Sequence, residues 1–204
     1  MKIGSHNSFS YLPPSRWWMR PFAFMARCQR ADLFLQILLG ARLFDLRIRF
    51  RKNQLVICHG IMEYRADFNL NEILSMLNQY SEDSSDGPIY LRVVLELKKS
   101  DAQQELMFRE FCQFWVDSFP CIRFFGGNNR SDWGCQHPIY RFYTPMPDLD
   151  DKYSSTTSLF PERFKLLRYI DDLWPWFYAH RYNHRNRQAG TTHDWLFIDF
   201  VDIE

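Results

Sequence analysis

The most regular pattern in the chain is an alternation of residue types over 42–50. Successive side chains of a strand point to opposite faces, so a period of two predicts a strand. One face of this strand would carry Leu43, Asp45, Arg47 and Arg49, and the other would carry Phe44, Leu46, Ile48 and Phe50. The pattern therefore predicts a strand with an apolar surface on one side and charged groups on the other.

Similar patterns predict that strands alternate with helices along the first half of the chain. Strands are also expected at three places there: 2–10, where the strand runs into a loop, 54–58 and 89–97. Helices are expected over 16–27, 29–39 and 70–80. Gly40 suits the end of the second helix, and Asn69 followed by Glu72 suits the start of the third as a capping box.

The second half of the chain gives fewer clear elements. A helix capped by Ser100 or Asp101 is expected to turn four apolar residues to the core: Leu106, Phe111, Phe114 and Trp115. The segment 121–160 predicts only a strand end at Phe124 and Phe125 and a strand over 139–143. Pro161 is expected to start another helix, and a last strand over 196–203 would contain Asp199 and Asp202.

Repeated strand–helix units predict an α/β fold with a parallel sheet, open or closed into a barrel. Polar residues cluster at or near the expected strand ends: His6, Asp45, Arg47, His59, Lys98 and Asp199. In a βα barrel the carboxyl ends of the strands meet at one face, where the chemistry takes place. Nothing in the sequence resembles a linker or a repeat, so residues 1–204 are expected to form a single domain.

Composition narrows the function classes. The 25 Lys and Arg against 24 Asp and Glu leave a net charge of +1, which gives no electrostatic footprint for nucleic acid. The five cysteines are odd in number and form no CxxC pair, which argues against a disulfide framework and a structural zinc site. The N-terminus does not read as a signal peptide and no segment reads as a membrane span, so the sequence predicts a cytoplasmic, monomeric protein.

Two histidines and an arginine form the most informative chemical set in the sequence. His6 lies in Gly-Ser-His-Asn-Ser, Arg47 lies in Phe-Asp-Leu-Arg, and His59 lies in Cys-His-Gly. Cleavage of a phosphodiester requires a base, an acid and a fixed positive charge on the phosphate. An imidazole with a pKa near ~6.5 can serve as either base or acid at neutral pH. The three residues therefore predict phosphodiester chemistry.

These segments resemble the X domain of phosphatidylinositol-specific phospholipase C. The resemblance rests on Ile3-Gly-Ser-His-Asn-Ser, Gly40-Ala-Arg-Leu-Phe-Asp-Leu-Arg, His59-Gly60 and Val94-Leu-Glu-Leu-Lys, in that order. It runs from residue 3 to about 100 and resumes weakly at Phe197-Ile-Asp-Phe-Val. It implies a compact, distorted TIM-type barrel that acts on a phosphoinositide or related glycerophospholipid.

The resemblance also implies a role for each candidate residue. His6 would take the proton from the inositol 2-hydroxyl, His59 would protonate the departing glycerol oxygen, and the product would be a cyclic inositol phosphate. An Asp on the last strand would hold the base histidine, which favours Asp199 and leaves Asp202 as the reserve. The catalytic set is then His6, Asp45, Arg47, His59 and Asp199, with Asn7 and Lys98 as substrate contacts.

The same comparison predicts that no metal is needed. Calcium-dependent members of the family share Asn7 but carry acidic ligands where this chain has Arg47 and Lys98. A guanidinium would repel a divalent ion, yet it can grip phosphate oxygens itself, as in the metal-independent bacterial members. Those members usually show His-Asp where this chain has His6-Asn7, so Asp45 would have to support the acid histidine instead.

A second stretch suggests contact with a membrane. Trp17 and Trp18 are flanked by Arg16 and Arg20, a combination suited to the headgroup level of a bilayer, and bacterial members of the family have a similar helix. Packing of these rings on the barrel is the alternative. His180 and His184 have the spacing of a helical metal pair, but a solvated basic face explains them better because no third ligand is apparent.

Two alternative functions remain from sequence alone. A metal-dependent glycerophosphodiester phosphodiesterase would need a Glu-x-Asp ligand pair, which Asp45-Leu-Arg47 fits poorly. A non-catalytic module that binds inositol phosphate or lipid would account for Asn7 and for a second half shorter than in bacterial relatives. Turnover of a phosphoinositide separates the enzyme from the module.

Overall fold

The computed structural model describes residues 1–96, 102–126, 147–153 and 174–203. Its strands are β1 Lys2–Ser5, β2 Ala41–Arg51, β3 Gln54–His59, β4 Met62–Glu63, β5 Tyr90–Leu95, β6 Arg123–Gly126, β7 Leu149–Lys152 and β8 Trp195–Ile198. Its α-helices are α1 Leu33–Leu38, α2 Leu70–Asp83, α3 Ala102–Ser118 and α4 Pro175–Ala189, and a 3-10 helix covers Trp17–Met25. The strand and helix expected over 139–143 and from Pro161 lie outside the described residues.

The described strands form one curled sheet. Hydrogen bonding gives the order β6-β5-β2-β1-β8-β7, with every neighbouring pair in that series parallel. An antiparallel extension, β3 followed by β4, pairs with the second half of β2. Parallel strands connected through helices, curled into part of a barrel, confirm the predicted α/β fold of the distorted TIM type.

Strand β2 shows why the alternation in the sequence was informative. Phe44, Leu46, Ile48 and Phe50 all belong to the main apolar core that the helices cover. Leu43, on the opposite face, packs inside the curled sheet with Phe125, Leu149, Trp195 and Phe197. Asp45 and Arg47 follow Leu43 on that inner face, so the two sides of the strand differ as predicted.

Helix α2 begins where it was predicted to begin, whereas α3 turns a different face to the core from the one predicted. The side chain of Asn69 caps α2 by accepting from the Asn71 N–H at 3.0 Å, whereas the expected capping box would have used the Glu72 N–H. In α3 the buried residues are Phe108, Cys112 and Trp115. The predicted core positions Leu106 and Phe114 are exposed, because the buried stripe of a helix follows the i, i+4, i+7 spacing of these three residues.

Three elements are shorter or tighter than predicted. The segment 16–27 forms a 3-10 helix that contains Pro21, whose missing N–H breaks an α-helical ladder. Helix α1 starts only at Leu33, capped by the Asp32 side chain. The last strand ends at Ile198, so Asp199 and Asp202 lie in the turn beyond it rather than within a strand.

The cysteines that the structure describes are free thiols. Cys28, Cys58 and Cys112 are buried and Cys121 is partly buried. None of the helices within the described ranges combines the length and the apolar character needed to cross a bilayer.

Candidate active site

His6 extends β1 by one residue toward the carboxyl end of the sheet. Its N–H donates to the Ile198 carbonyl at 2.9 Å and continues the parallel ladder with β8. Gly4 allows this close pairing, because a Cβ at that position would lie 2.7 Å from Cδ2 of Phe197. The backbone of His6 is therefore fixed by two strands that are distant in sequence.

A buried polar network holds the loop that follows His6. The Ser8 hydroxyl donates to the Ser5 carbonyl at 2.7 Å and accepts from the Asp45 N–H at 2.8 Å. Gln29 donates from Nε2 to the carbonyls of His6 and Ile198, at 3.0 and 3.2 Å. The side chains of Ser8 and Gln29 therefore satisfy backbone groups that would otherwise be buried without a partner.

His6 is held between a carboxylate and a guanidinium. Its Nδ1 lies 2.7 Å from Oδ1 of Asp199, and its Nε2 lies 2.9 Å from Nη2 of Arg47. A carboxylate can only accept, so Nδ1 carries the proton and Nε2 presents a lone pair. Asp202, the reserve partner, instead forms an ion pair with Arg30 at 2.6 Å.

Helix α4 secures the turn that carries Asp199. The buried Asn183 side chain donates to the carbonyls of Asp199 and Phe200, at 2.8 and 3.0 Å. Phe200 adopts a positive φ of 48°, which bends the chain directly after Asp199. The carboxylate that faces His6 is therefore positioned by an element that sequence reasoning did not connect with the site.

Asp45 is a fully buried carboxylate surrounded by positive charge. Its Oδ2 accepts from Nε of Arg47 at 2.9 Å and from the Asn7 N–H at 3.0 Å, and its Oδ1 lies 3.8 Å from Nε of Arg92. Burial by itself raises the pKa of Asp45, but Arg47, Arg92 and His6 together hold that pKa below its usual range. Asp45 therefore stays charged and fixes the Arg47 side chain.

Arg47 spans the middle of the site. In addition to Asp45 and His6, it reaches Oε1 of Glu96, which lies 3.4 Å from Nη1. Burial lowers the pKa of Arg47, but the charges of Asp45 and Glu96 more than offset this and keep the pKa above its ordinary value. The site therefore contains a permanent positive charge beside the lone pair of His6.

His59 ends β3 and faces His6 across the site. The two ring centroids are 6.1 Å apart, with the ring planes nearly perpendicular at 88°. Nδ1 of His59 donates to the Ala26 carbonyl at 3.0 Å and lies 3.9 Å from Sγ of Cys28. Burial, together with the positive charge of Arg47 and then His6, lowers the pKa of His59 to about 4.

The support expected for His59 differs from the contacts in the structure. Asp45 faces His6, lying 3.9 Å from its Nε2, and its other contacts go to Arg47, Asn7 and Arg92 rather than to His59. The physical reason is the sheet register: Arg92 of β5 lies opposite Asp45, and Arg47 follows Asp45 on the same face of β2.

Asn7 is fully buried next to His6. It adopts a positive φ of 45°, which directs its N–H toward Asp45. Its side-chain Nδ2 lies 3.8 Å from Sγ of Cys28. Asn7 is as buried as His6 and Asp199, so the substrate contact expected of it stays a prediction. The other expected contact, Lys98, lies outside the described residues.

Three residues to which sequence reasoning assigned no role also line the site. Tyr153 stacks on His6, with ring centroids 3.9 Å apart and planes 10° apart. Arg92 is almost fully buried beneath Asp45, and Glu96 contacts Arg47 at the end of β5. Arg92 and Glu96 could have been suspected from charges in or just after an apolar strand, but Tyr153 follows a stretch with no clear periodicity.

One group of described residues has a donor set that could hold a metal. Ligand atoms of His6, Cys28 and Asp199 all lie within 4.8 Å of one another, and all three residues are buried. His6 and Asp199 are hydrogen-bonded to each other, and burial followed by the charge of Asp199 raises the pKa of the Cys28 thiol well above its usual value. A metal bound there would have to displace the thiol proton and the proton shared by His6 and Asp199.

Several aromatic rings of the 3-10 helix and of the start of α4 are exposed. Trp17 is 77% exposed and Trp18 is 49% exposed, and Arg16 lies over the Trp18 ring at 5.6 Å. The 3-10 helix contacts the start of α4, where Phe24 meets Trp174 with ring centroids 5.5 Å apart. We call these exposed rings together the aromatic patch: Trp17, Trp18, Phe22, Phe24, Trp174, Trp176 and Phe177.

The histidine pair on α4 has the character of a solvated face. His180 and His184 are both exposed, and His180 stacks on Trp176 with ring centroids 5.1 Å apart. Among the described residues neither belongs to a cluster of potential metal ligands.

Comparisons with known proteins agree with this geometry. The model of the phosphatidylinositol-specific phospholipase C X domain matches residues 22–123, which is half of the chain. No curated protein matches the sequence. The phosphatidylinositol-specific phospholipase C from Listeria monocytogenes superposes with a TM-score of 0.63 at 16% identity, over 98% of this chain and 87% of that chain.

Structures from Staphylococcus aureus are also similar. A mutant of its phosphatidylinositol-specific phospholipase C gives a TM-score of 0.62 at 15% identity, over 98% of this chain and 84% of that chain. Another structure, concerned with modulation of the membrane binding of that enzyme, gives a TM-score of 0.55 at 15% identity, over 98% and 85% of the two chains. At these identities the superpositions establish the fold.

Proposed function

Because the chain belongs to the phosphatidylinositol-specific phospholipase C X-domain family, whose activity is that of a phosphodiesterase, we propose that it cleaves phosphatidylinositol or a related glycerophospholipid by acid–base catalysis with two histidines. One observation carries this proposal: the ring centroids of His6 and His59 are 6.1 Å apart, and Arg47 contacts His6. A phosphodiester between the rings would have a base on one side and an acid on the other.

His6 is the base in this proposal. Its Nε2 lone pair accepts the proton of the inositol 2-hydroxyl, whose oxygen then attacks phosphorus. Asp199, 2.7 Å from Nδ1, stabilises the imidazolium that forms. In the free protein Arg47 donates to this lone pair, but the oxygens of an anionic phosphate are stronger acceptors, so substrate binding would free Nε2 for the hydroxyl.

Arg47 supplies the positive charge that the reaction needs. Its Nε is anchored by Asp45, while its Nη2 reaches His6 and its Nη1 reaches Glu96. Charge that develops on the phosphate oxygens during attack would be stabilised by these fixed donors without further reorganisation.

His59 is the acid. The Ala26 carbonyl occupies Nδ1, which leaves Nε2 to carry the proton for the glycerol oxygen. Its pKa of about 4 in the free protein keeps it neutral, and the negative charge of a bound phosphodiester would raise that pKa toward the working range. Transfer of this proton completes the cleavage and leaves a cyclic inositol phosphate.

The aromatic patch supports a peripheral membrane contact at Trp17 and Trp18. Trp17 and Trp18 are exposed, Arg16 lies over the ring of Trp18, and Phe24 of the same 3-10 helix meets Trp174 at the start of α4. Tryptophan prefers the interfacial level of a bilayer, where a neighbouring guanidinium can meet phosphate groups.

We expect phosphorus NMR to detect a cyclic inositol phosphate when the protein is incubated with phosphatidylinositol in mixed micelles. Intramolecular attack by the 2-hydroxyl requires this product, whereas direct hydrolysis by water gives only the monoester. Phosphatidylcholine, whose headgroup lacks such a hydroxyl, serves as the control substrate and should remain intact. Binding to phosphatidylinositol vesicles without any turnover would favour the non-catalytic module instead.

Replacement of Trp17 and Trp18 by alanine should weaken binding to phosphatidylinositol-containing vesicles by about tenfold or more, because burial of two such rings is worth a few kcal/mol. Sedimentation with sucrose-loaded vesicles measures the affinity. Phe34→Ala is the matched control, because Phe34 is also exposed but lines an apolar groove between α1 and α2. Equal losses in both variants would contradict a specific role for the two tryptophans.

A further inference from the structure

Glu96 lies immediately after β5, and its carboxylate is held by two arginines of β2. Oε1 lies 3.4 Å from Nη1 of Arg47, and Oε2 lies 3.2 Å from Nη2 of Arg49. The Glu96 N–H in turn donates to the Ile48 carbonyl at 2.8 Å, which fixes its backbone between the two arginines. The carboxylate is only 13% exposed, so these ion pairs are shielded from solvent.

The same carboxylate contacts the residues on both sides of His59 in the sequence. Its Oε2 accepts from the Gly60 N–H at 2.8 Å and lies 3.7 Å from Sγ of Cys58. Arg49 adds a second contact to this turn by donating to the Gly60 carbonyl. Gly60 has a φ of 57°, a left-handed conformation that favours glycine, so the turn after His59 is tight. Glu96 therefore bridges β2 to the turn that carries the histidine.

The charges around His59 are otherwise unfavourable to its protonation. Arg47 from β2 and His6 from the end of β1 both lower its pKa, in addition to burial. Cys28, from the segment before α1, has a thiol whose pKa is raised by burial and which is therefore neutral. The Ala26 carbonyl and Glu96 act in the opposite direction and raise the pKa of His59.

We propose that Glu96 is a positioning residue that holds the His59–Gly60 turn against β2 and supplies the negative charge needed by the acid of the reaction. This inference rests on the function proposed above. It answers a question raised by the sequence, because Asn7 has no charge and Asp45 is directed to His6. Glu96 acts through His59 and touches no reacting atom.

Glu96→Gln tests the charge. The glutamine oxygen can still accept from the Gly60 N–H, but the negative charge is lost. An acid must be protonated to act, so its pKa sets the alkaline limb of the profile of kcat/KM against pH. Loss of a nearby negative charge lowers that pKa, so we expect the alkaline limb to move to lower pH by about 1 unit. Activity should then fall about tenfold on the alkaline side and little on the acid side.

Glu63→Gln is the matched control. Glu63 also pairs with an arginine of β2, Arg51, at 3.1 Å, and its side chain is 15% exposed. It lies on β4, but its carboxylate pairs with Arg51 rather than with the Gly60 turn. The alkaline limb of this variant should coincide with that of the parent protein.

Titration of the His59 ring by NMR tests the same inference without substrate. We expect the pKa of His59 to be lower in Glu96→Gln than in the parent protein, again by about 1 unit. This measurement separates the two proposals. A parent protein that turns over no phosphoinositide refutes the function alone, whereas an unchanged His59 titration in Glu96→Gln refutes the role of Glu96 alone.

Glu96→Asp keeps the charge but shortens the reach to the Gly60 N–H. We expect a lower kcat, by about tenfold, with an alkaline limb close to that of the parent. If circular dichroism shows that Glu96→Gln is unfolded, this variant decides the matter. A Glu96→Asp protein with unchanged kcat would show that the contact with the Gly60 N–H is unnecessary, and this would refute the proposed role of Glu96.

Discussion

Replacement of His6 by alanine should lower the rate of phosphatidylinositol cleavage by about 10⁴-fold or more, below detection in an ordinary assay. The variant loses the lone pair that would accept the hydroxyl proton. It also leaves the buried carboxylate of Asp199 without the ring that lies 2.7 Å away. Initial rates on phosphatidylinositol micelles at several pH values measure the loss, and no pH should restore activity because the alanine cannot titrate.

His180→Ala is the control for this experiment. His180 is exposed on α4 and stacks on Trp176, so its loss should leave the rate per bound enzyme unchanged. Circular dichroism must show that the His6→Ala protein is folded, because His6 is buried and packed against Tyr153. A folded His6→Ala protein that retains more than a tenth of the parent rate would contradict the proposed base.

Local sequence pattern was sufficient for the framework of the site. The alternation in β2 depends only on the pleat of a strand, and it put Asp45 and Arg47 on the inner face before any tertiary contact was known. Parallel strands end at the same edge of a sheet, which placed His6 and Asp199 near one another, and the family resemblance then paired them. The two residues are 193 positions apart in the sequence, yet their side chains form a hydrogen bond of 2.7 Å.

Contacts that depend on side-chain reach could not be predicted in the same way. Sequence pattern assigned no role to Glu96, because its partners lie in two other segments, β2 and the Gly60 turn. The direction of Asn7 depends on a positive φ that the residue type permits but does not require. Tyr153 stacks on His6 from the end of β7, which no periodic pattern indicated.

The helical misassignments have a simple physical origin. Leu106 and Phe114 are large and apolar, yet the face of α3 that the sheet covers is set by the docking angle of the helix. In the segment 16–27 the apolar content suggested an α-helix, but Pro21 removes a donor and the exposed tryptophans have no core to face. Composition alone does not distinguish a helix that packs into the core from one whose apolar side chains stay exposed.

Arg47→Lys should lower kcat by about 10²–10³-fold with a smaller effect on KM. Lysine keeps the charge but presents a single ammonium group, which cannot stay bonded to Asp45 at 2.9 Å and also direct two further donors toward the phosphate. Rates on phosphatidylinositol micelles measure the effect. Because the guanidinium supplies the charge, we also expect EDTA and EGTA to leave the activity of the parent protein unchanged.

Arg51→Lys is the matched control, because Arg51 ends the same strand but is half exposed and pairs with Glu63 at 3.1 Å. Its loss should change the rate by less than about twofold, as is usual for a surface ion pair. Two results would refute this account of Arg47. One is an Arg47→Lys protein as active as the parent. The other is a parent protein that chelators inactivate and calcium restores, since a divalent ion would then supply the charge assigned to the guanidinium.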